Sequence, residues 1–336
     1  MILSLFLSFA AVPQQAGGQW APRLEIAWNR YYDYDAVLEI ERKLADTWPE
    51  FIQLQDIGES HEGRPMQLMV LTNRATGAHD TKPAMWVDGN VHGNEVQGAE
   101  AALYLAWWLL EHYADNERAH KLLDGRTFYI LPSQNPDGRD HWFHAANDAS
   151  SSRSGVEPTD NDRDGLYDED GPNDLDGDGE ITQMRKRVQL GEGSHRLDRD
   201  DLRVLVPVRG KELGDWIMLG DEGIDDDGDG RVDEDGLGGY DMNRNWPSDW
   251  QPNFIQYGAG DYPFSFPETA AIGRFLLSRP NVAAVQSFHN SGGMILRGPG
   301  ADYVSYPRSD IRVYDEIGAE GERMLPFYNY MIIHAD

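Results

Sequence analysis

Met85-Trp86-Val87-Asp88-Gly89-Asn90-Val91-His92-Gly93-Asn94-Glu95 is the stretch that decides the fold. Its first four residues, with Ala84, read as a short buried strand, bounded by Gly and Asn. From Val96 to Tyr113 the chain reads as a long helix, strongly apolar through Leu103-Tyr104-Leu105-Ala106-Trp107-Trp108-Leu109-Leu110. A strand that runs through a polar turn into a helix puts His92 and Glu95 at the strand's carboxyl end. That crevice is where open α/β sheets bind ligands.

Outward from this unit the alternation continues. Asp35 to Trp48 reads as an amphipathic helix stopped by Pro49. Gln53 to Ile57 and Met66 to Thr72 read as paired strands around the turn Glu62-Gly63-Arg64-Pro65. Thr127 to Leu131 is a strand, closed by a turn at Asn135-Pro136-Asp137-Gly138. A helix from Glu268 to Leu277, a strand from Val282 to Phe288 and a helix near Ile311 to Met324 follow, and Tyr330 to Asp336 reads as helix or loop. Strands alternating with helices predict an α/β fold, a sheet layered by helices. From about 150 to 239 the chain is instead irregular and Asp/Gly-rich, apart from a short Val204-Leu205-Val206 strand. It reads as an insertion into one domain spanning about 25–336.

The 336 residues are 40% hydrophobic, with ten Trp and fifteen Tyr, which is ample material for a core. Net charge is −29, from 29 basic against 58 acidic residues. That balance disfavours nucleic acid and anionic membranes as partners and favours divalent cations. There is no cysteine, so thiolate catalysis and disulfides are excluded and any zinc must be held by His and carboxylate. The apolar run Ile2-Leu3-Ser4-Leu5-Phe6-Leu7-Ser8-Phe9-Ala10-Ala11-Val12 is too short to span a bilayer and reads as a signal peptide over 1–16. It lacks a basic flank, and a buried or disordered N-terminus is the rival reading. No other segment is a membrane-spanning candidate, so the expected location is secreted or periplasmic.

His-x-x-Glu offers two zinc ligands from one turn, and a catalytic zinc needs a third from elsewhere. His289 is the candidate, because it ends the strand Val282-Ala283-Ala284-Val285-Gln286-Ser287-Phe288, again at a carboxyl end. Alone, His-x-x-Glu is a weak motif. Its company makes it specific. His92-Gly93-Asn94-Glu95, Asn135-Pro136-Asp137-Gly138, Asp241-Met242-Asn243-Arg244-Asn245-Trp246 and Ser287-Phe288-His289 occur in one order, and with them the chain resembles the M14 (carboxypeptidase A-like) zinc carboxypeptidases over roughly residues 30 to 336.

The resemblance implies a twisted mixed β-sheet flanked by helices, one Zn2+, and a peptide or protein C-terminus as substrate. It implies that His92, Glu95 and His289 bind zinc, and that Asp241 accepts a hydrogen bond from the far nitrogen of His92. Asn243 and Arg244 would grip the substrate's terminal carboxylate. A further arginine would stabilise the oxyanion; Arg153 is preferred and Arg185 is the alternative. Trp246 reads as core. The family's general-base glutamate should lie past Asp336, so the chain reads as C-terminally truncated, with Glu316, Glu320 and Glu322 on a solvated helix face. A zinc amidohydrolase of the aspartoacylase-like type and a calcium-stabilised, non-catalytic binding protein are the alternatives.

Three segments share an Asp-x-Asp-x-Asp-Gly spacing, which suits calcium: acids at alternate positions, then a glycine for the sharp turn. They supply Asp160, Asp162, Asp164 and Asp168; Asp174, Asp176 and Asp178; and Asp225, Asp227, Asp229 and Asp233. None has a Glu at the twelfth position, so these are not EF-hands. A flexible, solvated acidic loop is the rival reading.

Overall fold

The computed structural model describes residues 21–147, 155–156, 158–160, 163–230, 232, 239–290 and 292–334. Its main sheet contains β1 (Ile52–Glu59), β2 (Pro65–Leu71), β3 (Ala84–Gly89), β4 (Thr127–Leu131) and β9 (Val282–Phe288), in the order β1-β2-β4-β3-β9. β1 with β2 and β2 with β4 are antiparallel, whereas β3 runs parallel to both β4 and β9. The sheet is mixed and flanked by helices, as expected.

Side chains alternate across it with the period of two that a strand imposes. Phe128 and Ile130 of β4 join Met69, Leu71 and Val87 on one face. There they meet α1 (Tyr34–Thr47), α2 (Gln97–Glu111) and α3 (Glu117–Gly125) through residues such as Leu44, Leu103 and Leu123. Tyr129 and Leu131 join Leu68, Val70 and Trp86 on the other face, against Ile272 and Phe275 of α5 (Pro267–Leu277). Asp33 caps α1 by accepting from the Ala36 amide, and Asn116 caps α3 by accepting from Arg118 and Ala119. Trp246 packs against the second face, in keeping with the core reading.

Three local expectations are corrected. Asn135-Pro136-Asp137-Gly138 is not a closed turn but the start of α4 (Pro136–His144): Asn135 accepts from the Gly138 amide and Pro136 occupies the first helical position, which suits a residue with no N–H to place. The acidic stretch holds more order than its composition suggests. β5 (Gln183–Arg187), β6 (His195–Leu197), β7 (Leu205–Pro207) and β8 (Trp216–Asp221) form a four-stranded sheet, order β5-β8-β6-β7. Apolar alternation is faint there because Arg185 and Arg187 lie over the Trp216 ring, at 5.0 and 6.0 Å, where an aliphatic pair would otherwise stand. The segment near Tyr330, expected as helix or loop, is β11 (Asn329–Ile332), parallel to β10 (Met294–Arg297) with α6 (Arg308–Met324) between them.

The close approach of two glycines sets the site. A Cβ on Gly89 would stand 2.5 Å from the Gly98 carbonyl carbon, and one on Gly98 would stand 2.9 Å from the Phe288 carbonyl oxygen. Only bare backbone lets the first turn of α2 lie against the ends of β3 and β9. We therefore expect Gly98→Ala to cost roughly 1–3 kcal/mol, the usual range for overpacking, and also to lower zinc uptake, because it displaces the end of β9 that carries His289. Urea melts and metal analysis check both; a variant that melts and loads like the parent would refute the steric account.

Candidate metal centre

β3 and β9 end level, with Asp88 paired to Ser287 and Gly89 to Phe288. His289 therefore leaves β9 beside the loop that leaves β3. That loop turns at Asn90, whose φ of 56° is a left-handed conformation that Asn tolerates better than most residues. Asn90 is fully buried and bonded on both sides of its amide. Its Nδ2 donates to the carbonyls of His92 and Gly93 at 2.8 and 3.0 Å, and its Oδ1 accepts from Ser133 Oγ and Arg139 Nη1. The Gln134 and Asn135 amides donate to the carbonyls of Gly89 and Asn90. The loop's backbone is thus held by the α4 entry.

This folding brings the three expected ligands together. Donor atoms of His92, Glu95 and His289 lie within 4.8 Å of one another. His92 Nδ1 is 3.1 Å from Glu95 Oε1, and His289 Nδ1 is 2.7 Å from Glu95 Oε2. On the far side of the ring, His92 Nε2 is 3.3 Å from Asp241 Oδ1. Asp241 is brought there by its neighbours: Tyr240 and Met242 pack with Phe266 and with Val91, the residue before His92.

The donor set fits zinc. Two imidazoles and a carboxylate are what a catalytic zinc takes, leaving a position open. His92 is 3% exposed, and although both its ring nitrogens lie within reach of a carboxylate, neither makes a well-directed hydrogen bond. A buried imidazole so placed is suited to a metal ion. Burial works against the charge of Glu95, yet His289 and His92 outweigh it and hold the carboxyl well below its usual range. Burial likewise opposes ionisation of Asp241, and His92, then Arg244, reverse the balance, so its pKa is lowered.

Asp241 also accepts from the Asn243 amide and so caps the short 3-10 turn Met242–Arg244. Asn243 and Arg244 consequently stand on the turn that begins at the carboxylate behind His92. Arg244 donates to the Asn243 carbonyl and forms no ion pair among the described residues. Arg153 lies outside the described residues, as do Asp162, Asp233, residues 1–16 and the glutamate expected past Asp336. Arg185 is occupied in the small sheet, over Trp216 and near the carbonyls of Leu202 and Arg203. On α6, Glu320 pairs with Arg323, and Glu322 accepts from the Tyr330 amide.

The zinc carboxypeptidase family model, Peptidase_M14, matches residues 37–178 and 222–329. The chain belongs to this family. Among curated members, Carboxypeptidase B of Astacus astacus is 32% identical over 116 residues, which are 34% of this chain and 36% of that one. Carboxypeptidase Z of Homo sapiens is 34% identical over 110 residues, 32% of this chain and 17% of the relative. The match thus spans little over a third of the first relative and less of the second. Two solved structures share the zinc carboxypeptidase fold at lower identity. Thrombin activatable fibrinolysis inhibitor superposes with a TM-score of 0.60 at 15% identity, covering 92% of this chain and 60% of that chain. The carboxypeptidase A from Helicoverpa armigera gives 0.58 at 16%, covering 92% and 58%.

Sequence reasoning missed Arg139. It is fully buried, and its guanidinium donates to the Tyr32 carbonyl, Asn90 Oδ1, the Val96 carbonyl and Glu100 Oε1. It so joins the N-terminal segment, the metal loop and α2. Its place just after Asn-Pro-Asp-Gly was the available signal, but a charged residue in a first helical turn reads by default as solvated.

Beneath the site, burial raises the Asp88 carboxyl to about 6, in spite of the Trp86 indole that donates to it and the opposing pull of the Ser287 and Gln134 side chains. A carboxyl raised on folding binds its proton more tightly in the native state, so its contribution is fully present below the unfolded pKa of about 3.9 and is lost as pH rises through the folded value. We expect parent stability, relative to Asp88→Asn, to fall by roughly 3 kcal/mol at most between about pH 4 and pH 6. Paired urea melts across that window measure it, and parallel curves would remove the account.

Proposed function

We propose that the protein is a zinc-dependent metallocarboxypeptidase that hydrolyses C-terminal residues from peptides or proteins. The convergence of His92, Glu95 and His289, with Asp241 behind His92, is the observation that carries this reading. Zinc bound there would polarise the scissile carbonyl and lower the pKa of a water. Asp241, whose Oδ1 lies 3.3 Å from His92 Nε2, is placed to orient the ring with Nδ1 turned toward Glu95 and the metal position. Arg244, fixed on the turn that Asp241 caps and unpaired with any carboxylate among the described residues, is suited to a terminal carboxylate, and Asn243 to a hydrogen bond beside it. With Arg185 engaged elsewhere, Arg153 stays the oxyanion candidate.

Calcium is proposed for the Asp-rich loops on their oxygen-only donors. The apolar run at residues 2–12 supports export, with a secreted or periplasmic location. No helix among the described residues is long and apolar enough to cross a membrane.

The purified protein should carry zinc, and His289→Ala should lose it without unfolding, since that side chain is 35% exposed. Asp241→Asn should keep the fold and bind zinc roughly 10–100-fold more weakly, as removing a ligand's orienting partner does. Elemental analysis and competition with a zinc chelator decide. Unchanged zinc content in His289→Ala would sink the ligand assignment.

The substrate reading has its own test, run on the natural gene product. A blocked peptide with a free C-terminal carboxylate should be cleaved, and its C-terminal amide cleaved roughly 10–100-fold less well, because a charge-assisted hydrogen bond contributes about 1.5–3 kcal/mol. Arg244→Ala should erase that preference. Equal cleavage of acid and amide by the parent would replace the carboxypeptidase reading with an amidohydrolase or endopeptidase one.

A further inference from the structure

Two Asp-rich segments far apart in sequence are stitched together. Pro172 and Gly223 form an antiparallel bridge, and the Asn173 amide donates to the Glu222 carbonyl at 2.7 Å. An antiparallel crossing at that point sets Asp170 opposite Asp225. Carboxylate oxygens of Asp170, Asp225 and Asp227 lie within 4.8 Å of one another. The loop that presents the latter two is tightly wound: Asp225 accepts from the amides of Gly228 and Gly230, whose φ values of 87° and 95° suit glycine.

Asp170 differs from the exposed acids around it. It is 1% exposed; Oδ1 accepts from the Asp226 amide, while Oδ2 is buried with no hydrogen-bond partner. A buried carboxylate oxygen with nothing to accept from is costly. Two further carboxylates against it add like-charge repulsion, and no lysine or arginine pairs with the three among the described residues. A cation answers both terms at once. Since every donor is oxygen, the ion is a hard one, and winding loops that offer ligands without fixed octahedral angles suit calcium better than magnesium.

We propose that Asp170, Asp225 and Asp227 form a calcium site that clasps the two Asp-rich segments together, with Asp170 as its inner ligand. This goes beyond ions held within each Asp-x-Asp-x-Asp-Gly loop, because the buried ligand comes from the other segment. It rests on the calcium reading of the loops and is independent of the peptidase reading. A second grouping, Asp174 and Asp176 with Glu222, crosses the same bridge, but Glu222 is already satisfied by the amides of Leu175 and Asp176. It is no part of the proposal.

The test titrates calcium chloride alone, by calorimetry, into full-length zinc-loaded protein cleared of calcium on a chelating resin, with zinc content confirmed by elemental analysis. The parent should take up calcium. Asp170→Asn should bind one ion fewer, with zinc retained. If that buried substitution prevents folding, Asp227→Asn decides, since this acid is exposed; its calcium affinity at one site should fall on the order of tenfold, as expected when a carboxylate ligand is removed. Parent-like stoichiometry in a folded Asp170→Asn would overturn the clasp while leaving calcium within the loops, and parent-like stoichiometry and affinity in Asp227→Asn would overturn both the clasp and the calcium reading of that loop. A parent that binds no calcium would overturn both, and equal affinity for magnesium would overturn the choice of ion.

Discussion

Everything at the metal centre depends on how closely three backbones can pass. β3 delivers the loop that carries His92, α2 begins just after Glu95, and β9 delivers His289. These segments meet at Gly89, Gly98 and Phe288, where a single added Cβ would stand under 3 Å from a neighbour's backbone. Glycine has a cost here. Within the first turn of a helix it forfeits up to about 1 kcal/mol relative to alanine. What it permits is an approach in which the Glu95 carboxylate reaches both imidazoles. Moving α2 outward by the width of a methyl group would leave Glu95 facing one histidine or neither.

Proximity alone does not hold a loop, and the remainder is supplied by buried polar groups. Asn90 sits in a left-handed conformation and spends its amide on the His92 and Gly93 carbonyls, on Ser133 and on Arg139. Arg139 then ties that amide to Val96 and Glu100 on α2. Burying a guanidinium beside one carboxylate is not a strong source of stability, because desolvation consumes most of the attraction. Here burial lowers the Arg139 pKa even against the opposing pull of Glu100. The value of the arrangement lies in geometry. A rigid fork of donors fixes three segments relative to one another, so the ligand atoms are set before a metal arrives.

Most of the sheet was legible because its strands are short apolar runs. Thr127–Leu131 and Val282–Phe288 fall where the apolar runs put them, and the candidate zinc ligands follow from their place at strand ends. Three things were hidden, each for a physical reason. Asn-Pro-Asp-Gly is ambiguous, since a turn and a capped helix begin with the same residues; only the Asn135 bond to the Gly138 amide separates them. The small sheet around Trp216 replaces aliphatic alternation with arginines stacked on an indole. Asp170 and Arg139 are charged and completely buried, and local sequence cannot announce partners that lie across the fold. Asp170 meets Asp226 across a bridge between distant segments, and Arg139 meets Tyr32.

Asp241 links the two halves of the proposed chemistry. One of its oxygens lies 3.3 Å from His92 Nε2, and the same oxygen accepts from the Asn243 amide at 2.8 Å. The carboxylate placed behind His92 is therefore also the cap of the turn bearing Asn243 and Arg244. A shift of that turn would move the group suited to a substrate carboxylate and the tautomer of His92 together, by one hydrogen-bonding centre. Its approach is secured from behind as well: the Asp241 amide donates to the Gly258 carbonyl, and Asn245, fully buried, binds the carbonyls of Ala259 and Tyr262 and the hydroxyls of Ser265 and Thr269. The loop from 240 to 266 is thus anchored to the start of α5, which packs on the sheet that presents His92. The proposed metal ligands and the proposed carboxylate-binding pair share one scaffold, and their separation is set by covalent chain length across a three-residue turn rather than by the relative placement of mobile parts.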